Sequence, residues 1–103
     1  MGYRSPYPKG SGVAISPVLE EDAVRSLKQY LKQQYGAETF EILARESIAP
    51  AKEFAIDAQG RLVAGELHEV WTIKHSGKVV KLEFIMFPDG RRGNTVGFKE
   101  YRD

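Results

Sequence analysis

The chain has 103 residues, of which 42% are hydrophobic and 28% charged, a composition typical of a single globular domain. Its 15 basic and 14 acidic side chains leave a formal net charge of +1, and this balance disfavours nucleic acid as a partner. The absence of cysteine excludes disulfides, thiol catalysis and cysteine-ligated metal, and the absence of a long apolar run excludes a membrane span. We expect a cytoplasmic protein that holds no cofactor and no metal.

Residues 1–12 are rich in proline and glycine and predict a flexible N-terminal arm, followed by a single domain over residues 13–103. The arm carries Tyr3, Arg4 and Tyr7, which are residue types that anchor protein interfaces. We therefore name these three as candidate partner-binding residues. The Val-Ala-Ile run that opens the domain predicts a short edge strand before the first helix.

A helix is predicted over residues 17–35. Ser16 and Pro17 begin it, because a serine side chain caps the free amides of the first turn and proline is tolerated at the first helical position. Gly36 ends it, because glycine readily takes the left-handed cap conformation. Apolar residues recur every three or four positions and form one stripe for burial: Leu19, Ala23, Val24, Leu27, Tyr30 and Leu31.

Residues 39–48 predict a strand, because side chains of alternating polarity occupy successive positions. On this alternation Ile42 and Ala44 share one face, and Arg45 points to the other. The remaining short elements before the central hairpin are a strand at 53–56, a turn at 57–60, a strand at 61–63 and a bulge at Gly65.

The central feature is a β-hairpin with Ser76 and Gly77 as its two-residue loop, flanked by runs rich in Val, Ile, Trp and Phe. The loop fixes the register, and a slip by one residue would carry Lys81 and Glu83 into the core. Glu69 is then the one carboxylate on an otherwise apolar face. The pairs predicted on that face are Leu67–Met86, Glu69–Phe84, Trp71–Leu82 and Ile73–Val80, with His75–Lys78 at the turn.

A second turn and a last strand complete the chain. Residues 88–94 predict a loop, and residues 95–101 predict a strand. Arg91 and Arg92 place two guanidinium groups beside glycines in this loop, so both are candidate partner-binding residues. A single amphipathic helix is buried most readily across a curled antiparallel sheet. The predicted fold class is therefore α+β, with one N-terminal helix packed on a curled antiparallel sheet of four to six strands.

This order of elements resembles the cystatin-like fold, in which an antiparallel sheet wraps one helix. The run Leu62-Val63-Ala64-Gly65 is similar to the Gln-x-Val-x-Gly motif in the first inhibitory hairpin loop of cystatins, although Arg61 stands in place of the glutamine. Gly10 or Gly12 lies where cystatins keep a glycine in their protease-binding arm. The last hairpin departs from the pattern, since Phe87-Pro88 stands where cystatins have a Pro-Trp pair. The resemblance implies inhibition of cysteine proteases as one alternative function.

Candidate chemistry lies on the first strand of the hairpin. His68 shares a strand face with Glu66, an arrangement that suits general acid–base work, whereas His75 points to the opposite face. A buried Glu69 needs a partner or a proton. Three hypotheses are open for it: a protonated carboxyl in a pocket beside Trp71, a salt bridge to a basic residue of a neighbouring strand, or a position at the rim where the strand bends. Glu69, Trp71 and His68 are therefore the candidate pocket residues.

We expect a non-enzymatic protein-binding module, because no catalytic constellation is recognisable in the sequence. The expected partner is another protein, and an edge strand open to pairing makes a homodimer a further hypothesis. One alternative is a small-ligand pocket protein or enzyme of the nuclear-transport-factor-like type, with Glu69 in the pocket. The other is the cystatin-like inhibitor.

Overall fold

A computed structural model describes residues 3–48, 52–91 and 93–102. It shows one long helix packed on an antiparallel sheet of five strands that does not close, which confirms the predicted α+β class. Among the described residues, no helix is long and apolar enough to cross a membrane. The elements in chain order are a 3₁₀ helix at Gly12–Ile15, α1 at Pro17–Tyr35, β1 at Glu41–Ser47, β2 at Lys52–Ile56, β3 at Leu62–His75, β4 at Lys78–Pro88 and β5 at Asn94–Glu100.

The sheet is organised around β3, the longest strand. Its path runs β1-β3-β4-β5, and β2 also pairs with β3. β1 lies beside the second half of β3, and β2 lies beside the first half. Because all the pairings are antiparallel, one face of the sheet is free to pack on a helix while the other faces solvent.

The register predicted for the central hairpin is confirmed at every pair from Leu67 with Met86 to His75 with Lys78. Ser76 and Gly77 both take positive φ, at 50° and 75°, as a tight two-residue hairpin turn requires. Glu69 therefore lies on the face that packs against α1. The prediction of a carboxylate on the apolar face is correct.

The helix begins and ends where the sequence predicts. The side chain of Ser16 accepts a hydrogen bond from the backbone N–H of Leu19, and Gly36 takes the left-handed cap conformation at φ 66°. The apolar stripe of α1 packs on the inner face of the sheet, the face turned toward the helix. The buried core comprises Val13, Leu19, Ala23, Val24, Leu27, Leu31, Ala37, Ile42, Leu62, Leu67, Trp71, Ile73, Leu82, Phe84 and Met86.

Two local predictions are wrong. The Val-Ala-Ile run before α1 is not an edge strand but part of the 3₁₀ helix, which the Ser11 side chain caps by accepting from the N–H of Val13. In β1 the register shifts between Ile42, which faces Ile73, and Ala44, which faces Thr72. This irregularity breaks the simple alternation, so Arg45 joins Ile42 on the inner face and is 3% exposed.

Candidate functional site

The carboxylate of Glu69 is buried and fully engaged. Glu69 is 1% exposed, and three donors reach it: the Ser11 hydroxyl at 2.6 Å, the Gly12 backbone N–H at 2.8 Å and the Trp71 indole N–H at 2.8 Å. Two of these donors belong to the segment that leads into the 3₁₀ helix. Glu69 therefore ties that segment to β3, and its burial contradicts the hypothesis that it lies at the rim.

An ion pair lies next to this carboxylate. The Arg45 guanidinium donates to Glu20 Oε2 at 2.8 Å, and both side chains are almost entirely buried. The guanidinium also lies over the ring of Trp71, with its carbon 5.0 Å from the ring centroid. Trp71 thus connects the ion pair to Glu69, and we call these four residues the buried polar cluster. The hypothesis of a salt bridge from Glu69 to a basic residue of a neighbouring strand is wrong, because Arg45 of β1 pairs with Glu20 of α1.

The arm covers the buried polar cluster. Glu20 accepts hydrogen bonds from the Tyr3 hydroxyl at 2.8 Å and the Ser5 hydroxyl at 2.5 Å. Arg45 donates through Nε to the Pro8 carbonyl at 2.9 Å, and its guanidinium lies 5.7 Å from the centroid of the Tyr7 ring. Partial burial and the hydrogen bond to Glu20 raise the pKa of Tyr3 to about 12, so the phenol stays a donor at neutral pH. Flexibility of the arm remains a prediction.

This geometry distributes the sequence-predicted pocket residues over both faces of the sheet. Glu69 and Trp71 are in contact in the interior, at 1% and 0% exposure. His68 lies on the opposite face, where its Nε2 is 2.9 Å from Glu83. The carboxylate oxygens of Glu69 already accept three hydrogen bonds. The structural contribution of this carboxylate is to anchor the segment of Ser11 and Gly12 to β3.

The outer face of the sheet, turned away from α1, carries a row of charges. Glu83 on β4 lies between His68 on β3 and Lys99 on β5, whose Nζ is 3.7 Å away. The hydrogen bond from His68 is the main cause that lowers the pKa of Glu83, and Lys99 adds to it. Among the described residues, no group of three or more His, Asp or Glu side chains is placed to hold a metal ion.

Beside that row, the outer face is apolar. Ile85 pairs with His68 on one side and Gly97 on the other, and Phe87 lies two positions further along β4. Ile48, which directly follows β1, lies on the other side of His68 from Ile85, because its N–H donates to the carbonyl of His68. Ile48, Ile85 and Phe87 are 38%, 37% and 37% exposed, and we call them the outer apolar patch.

A glycine shapes the floor of this patch. A Cβ atom built on Gly97 would lie 3.2 Å from Cγ1 of Ile85, so any larger residue would press on that side chain. The space left is a shallow groove of about 140 Å³ lined by Glu83, Ile85, Gly97, Phe98 and Lys99. A partner side chain inserted there would contact Ile85 and Gly97, with the charged residues Glu83 and Lys99 beside it.

The loop after β4 is ordered by Asp89, whose carboxylate accepts from the backbone N–H groups of Arg91 at 2.7 Å and Gly93 at 3.1 Å. Arg91 is exposed, as is Arg4 in the arm, while Arg92 lies outside the described residues. Tyr7 is half-buried against Arg45, whereas Tyr3 donates its hydroxyl to Glu20 and leaves more than a third of its side chain exposed. Of the predicted partner-binding residues that the structure describes, the two tyrosines contact the buried polar cluster and Arg4 and Arg91 are exposed. The loop and the turn before β3 line a cleft of about 470 Å³ that includes Asp57, Gln59, Arg61, Leu62, Val63, Pro88, Gly90 and Gly93.

His75 is buried at the opposite end of the sheet. Its ring stacks on Tyr35, the last residue of α1, with the centroids 4.5 Å apart, and it is 5% exposed. Neither ring nitrogen has a hydrogen-bond partner in the described structure. The Tyr35 hydroxyl donates instead to Glu100 at 3.0 Å, and burial with this hydrogen bond raises the pKa of Tyr35. The sequence correctly places His75 away from His68.

Comparison of the chain with protein-family models, with curated proteins and with solved structures gives no match. The cystatin-like resemblance therefore stays a prediction.

Sequence reasoning missed Arg45, Glu20 and Ser11. The sequence predicts the wrong face for Arg45, because the register of β1 shifts before it. In the sequence, Glu20 has the pattern of an ordinary acidic residue in the first turn of a helix. A usable signal was the lone carboxylate at position 69, since a buried acid implies donors elsewhere in the chain.

Proposed function

We propose that this protein is a non-enzymatic protein-binding module that uses the outer apolar patch. The observation that carries the proposal is the patch itself: Ile48, Ile85 and Phe87, each more than a third exposed, lie on the same face of the sheet, with His68 between Ile48 and Ile85. Large apolar side chains grouped on a surface mark interaction sites more often than scattered ones do.

The surroundings of the patch indicate what kind of partner fits. Lys74 and Lys81 are exposed on the same face of β3 and β4, toward the end away from the patch. Glu83, by contrast, is already paired with His68 and Lys99. The same face also carries the exposed carboxylate of Glu46 on β1. The complementary partner is therefore an amphipathic segment with apolar side chains for Ile85 and the Gly97 groove and charged side chains of both signs around them.

The buried polar cluster supports a binding role over the pocket hypothesis. A ligand-binding carboxylate needs an open approach, whereas Glu69 is 1% exposed and has three donors of its own. Its place in the molecule is that of a scaffold residue beneath the arm.

A test uses a photo-crosslinking amino acid placed at Ile85, with the same probe at Val79 as the control. Val79 is 58% exposed and lies on the same face of β4, six positions away toward the hairpin turn. We expect one discrete adduct in extract of the source cells from the Ile85 probe only, and its loss when Phe87→Glu is added. Equal labelling from both probes, or none, would contradict the proposal, provided that circular dichroism shows each variant folded.

A second candidate function is inhibition of a cysteine protease. The observation in its favour is that the turn before β3 and the loop after β4 line one cleft. The motif-like run Leu62–Gly65 lies at the start of β3 itself, beside that turn, and not in a loop as the resemblance implies. Val63, in the motif-like run, is 54% exposed there. Inhibition of a papain-type protease by the purified chain, lost on Val63→Asp, is the expected result. Failure to inhibit the protease would remove this candidate and leave the outer apolar patch untouched.

A further inference from the structure

The arm is held to the domain almost entirely by side chains. Residues 3–9, which we call the arm segment, contact α1 and β1 through the Tyr3 and Ser5 hydroxyls, the Tyr7 ring and one carbonyl, that of Pro8. Among the described residues, no backbone-to-backbone hydrogen bond ties the arm segment to the rest of the molecule. A segment bound in this way resembles a short peptide ligand more than a strand of the sheet.

The surface beneath the arm segment is charged. The Glu20 and Arg45 side chains are 2% and 0% exposed with the arm segment in place. Charged groups recover hydration when a cover is removed, so lifting the arm segment exposes a surface that water solvates well. Opening also uncovers the apolar surface against which the Tyr7 ring packs, but the charged part of the surface makes the cost of opening lower than for a wholly apolar surface of the same area.

The arm segment also does not fill the space in which it lies. One groove of about 420 Å³ runs between it and α1, lined on the arm side by Tyr3, Pro6 and Tyr7. Another of about 530 Å³ runs between it and the start of β1, lined on the arm side by Pro6, Tyr7 and Pro8. The arm segment is thus a ridge in a wider channel between α1 and β1.

Gly10 connects the arm segment to the domain. Gly10 has φ +108°, and a Cβ atom there would lie 2.0 Å from the carbonyl oxygen of Arg45, so only glycine fits the crossing over β1. The next residues, Ser11 and Gly12, are fixed by Glu69. Movement of the arm segment can therefore leave the Glu69 anchor intact.

We propose that the channel between α1 and β1 is a binding site for a Tyr-Arg-Ser-Pro-Tyr-Pro segment, filled in cis by the chain's own arm segment and able to take the arm segment of a second copy in exchange. The second copy is the occupant because it carries the one sequence whose contacts with Glu20 and Arg45 are already formed in this molecule. Reciprocal exchange satisfies the same contacts in both copies and gives a two-fold dimer. The site is on the inner side of the sheet, so it is independent of the outer apolar patch.

The test uses the full chain with a weakened arm segment, Tyr3→Phe with Ser5→Ala, which removes both hydroxyl donors to Glu20. The probe is a fluorescent synthetic peptide of residues 3–9, followed by anisotropy. We expect the peptide to bind this variant at least about tenfold more tightly than the wild-type chain, because its own arm competes less. A peptide with the Ser5→Ala change is expected to bind about tenfold more weakly than the unchanged peptide.

A second measurement tests exchange between whole chains. The weakened-arm variant has an intact channel, and Glu20→Gln with Arg45→Met has an intact arm segment. Mixed in equal amounts, the two are expected to form a heterodimer by native mass spectrometry, while each alone stays monomeric. Equal peptide binding by the variant and wild-type chains, or none, would overturn the channel as a peptide site. Peptide binding without a heterodimer would overturn the second copy as occupant. If the Glu20→Gln with Arg45→Met variant does not fold, dimerisation of the wild-type chain at high concentration replaces the heterodimer experiment as the deciding measurement.

Discussion

Trp71 Nε1 donates a 2.8 Å hydrogen bond to Glu69 Oε1, two positions away on the same face of β3. The bond lets a tryptophan and a carboxylate share the interior, since each satisfies the polar group of the other. The Arg45 guanidinium lies over the ring of the same indole, with its carbon 5.0 Å from the ring centroid. One residue of the central strand therefore organises both the anchor of the 3₁₀ helix and the ion pair beneath the arm.

The Glu20–Arg45 pair predicts strong coupling in a double-mutant cycle. Arg45→Met alone leaves the buried Glu20 carboxylate without its cation, and we expect a loss of about 3–5 kcal/mol in the free energy of unfolding. Glu20→Gln with Arg45→Met removes both charges, and its cost is expected to be well below the sum of the single variants. Chemical denaturation of the four proteins measures the coupling.

The control for that cycle is Arg25 with Asp22, an exposed pair on α1 at 3.3 Å. Solvent-exposed pairs contribute about 0–1 kcal/mol, so Arg25→Met is expected to change stability little. If the losses in unfolding free energy of the single variants at Glu20 and Arg45 add up to the loss of the double variant, the structural account of this pair is contradicted.

Replacing His75 by phenylalanine is expected to raise stability by about 1 kcal/mol, because it removes two buried nitrogens without partners and keeps the stacking on Tyr35. The control is His68→Phe, which removes an imidazole that is bonded to Glu83 and is expected to give no gain. Thermal unfolding of both variants measures the difference. A loss of stability in His75→Phe would show that the imidazole has a polar partner.

Glu83 makes stability depend on pH in a defined direction. Its pKa is lowered in the folded protein, chiefly by the hydrogen bond with His68, so its contribution is present above the ordinary carboxyl pKa of 4.5 and is lost as the pH falls through the lower folded value. Glu83→Gln is expected to cost about 0.5 kcal/mol at neutral pH and nothing at strongly acidic pH.

The matched control for this pH series is Glu46→Gln, which removes an exposed carboxylate from the same face of the sheet, on β1. Its stability relative to wild type is expected to change less across the same pH range. A constant difference between Glu83→Gln and wild type at all pH values would contradict the assigned cause.

The sequence predicts the parts of this fold that local chemistry determines. Ser76 and Gly77 set the hairpin loop, and the alternation of side chains then fixes the register of β3 and β4. Ser16 and Gly36 set the ends of α1. Each of these features follows from residues close together in the chain, which is why a pattern suffices to identify them.

The buried polar cluster was beyond the reach of such patterns. Its hydrogen bonds join residues far apart, such as Ser11 with Glu69 and Arg45 with Glu20, and no local periodicity encodes a pairing of that kind. The register shift in β1 also moves Arg45 to the other face of the sheet, and no glycine or proline in β1 signals this shift in the sequence. Glu69 was recognised as the exception on its face, but its partners were not.

The substitution Glu69→Gln tests most directly the claim that Glu69 is an anchor of the fold. The amide keeps the shape but provides one acceptor oxygen in place of two, so at least one of the Ser11, Gly12 and Trp71 donors loses its partner. We expect a loss of about 2 kcal/mol in guanidinium unfolding followed by fluorescence of the single tryptophan, against little change for Glu46→Gln. Unchanged or increased stability would contradict the account, because it would show that the three hydrogen bonds of the Glu69 carboxylate contribute no net stability to the fold.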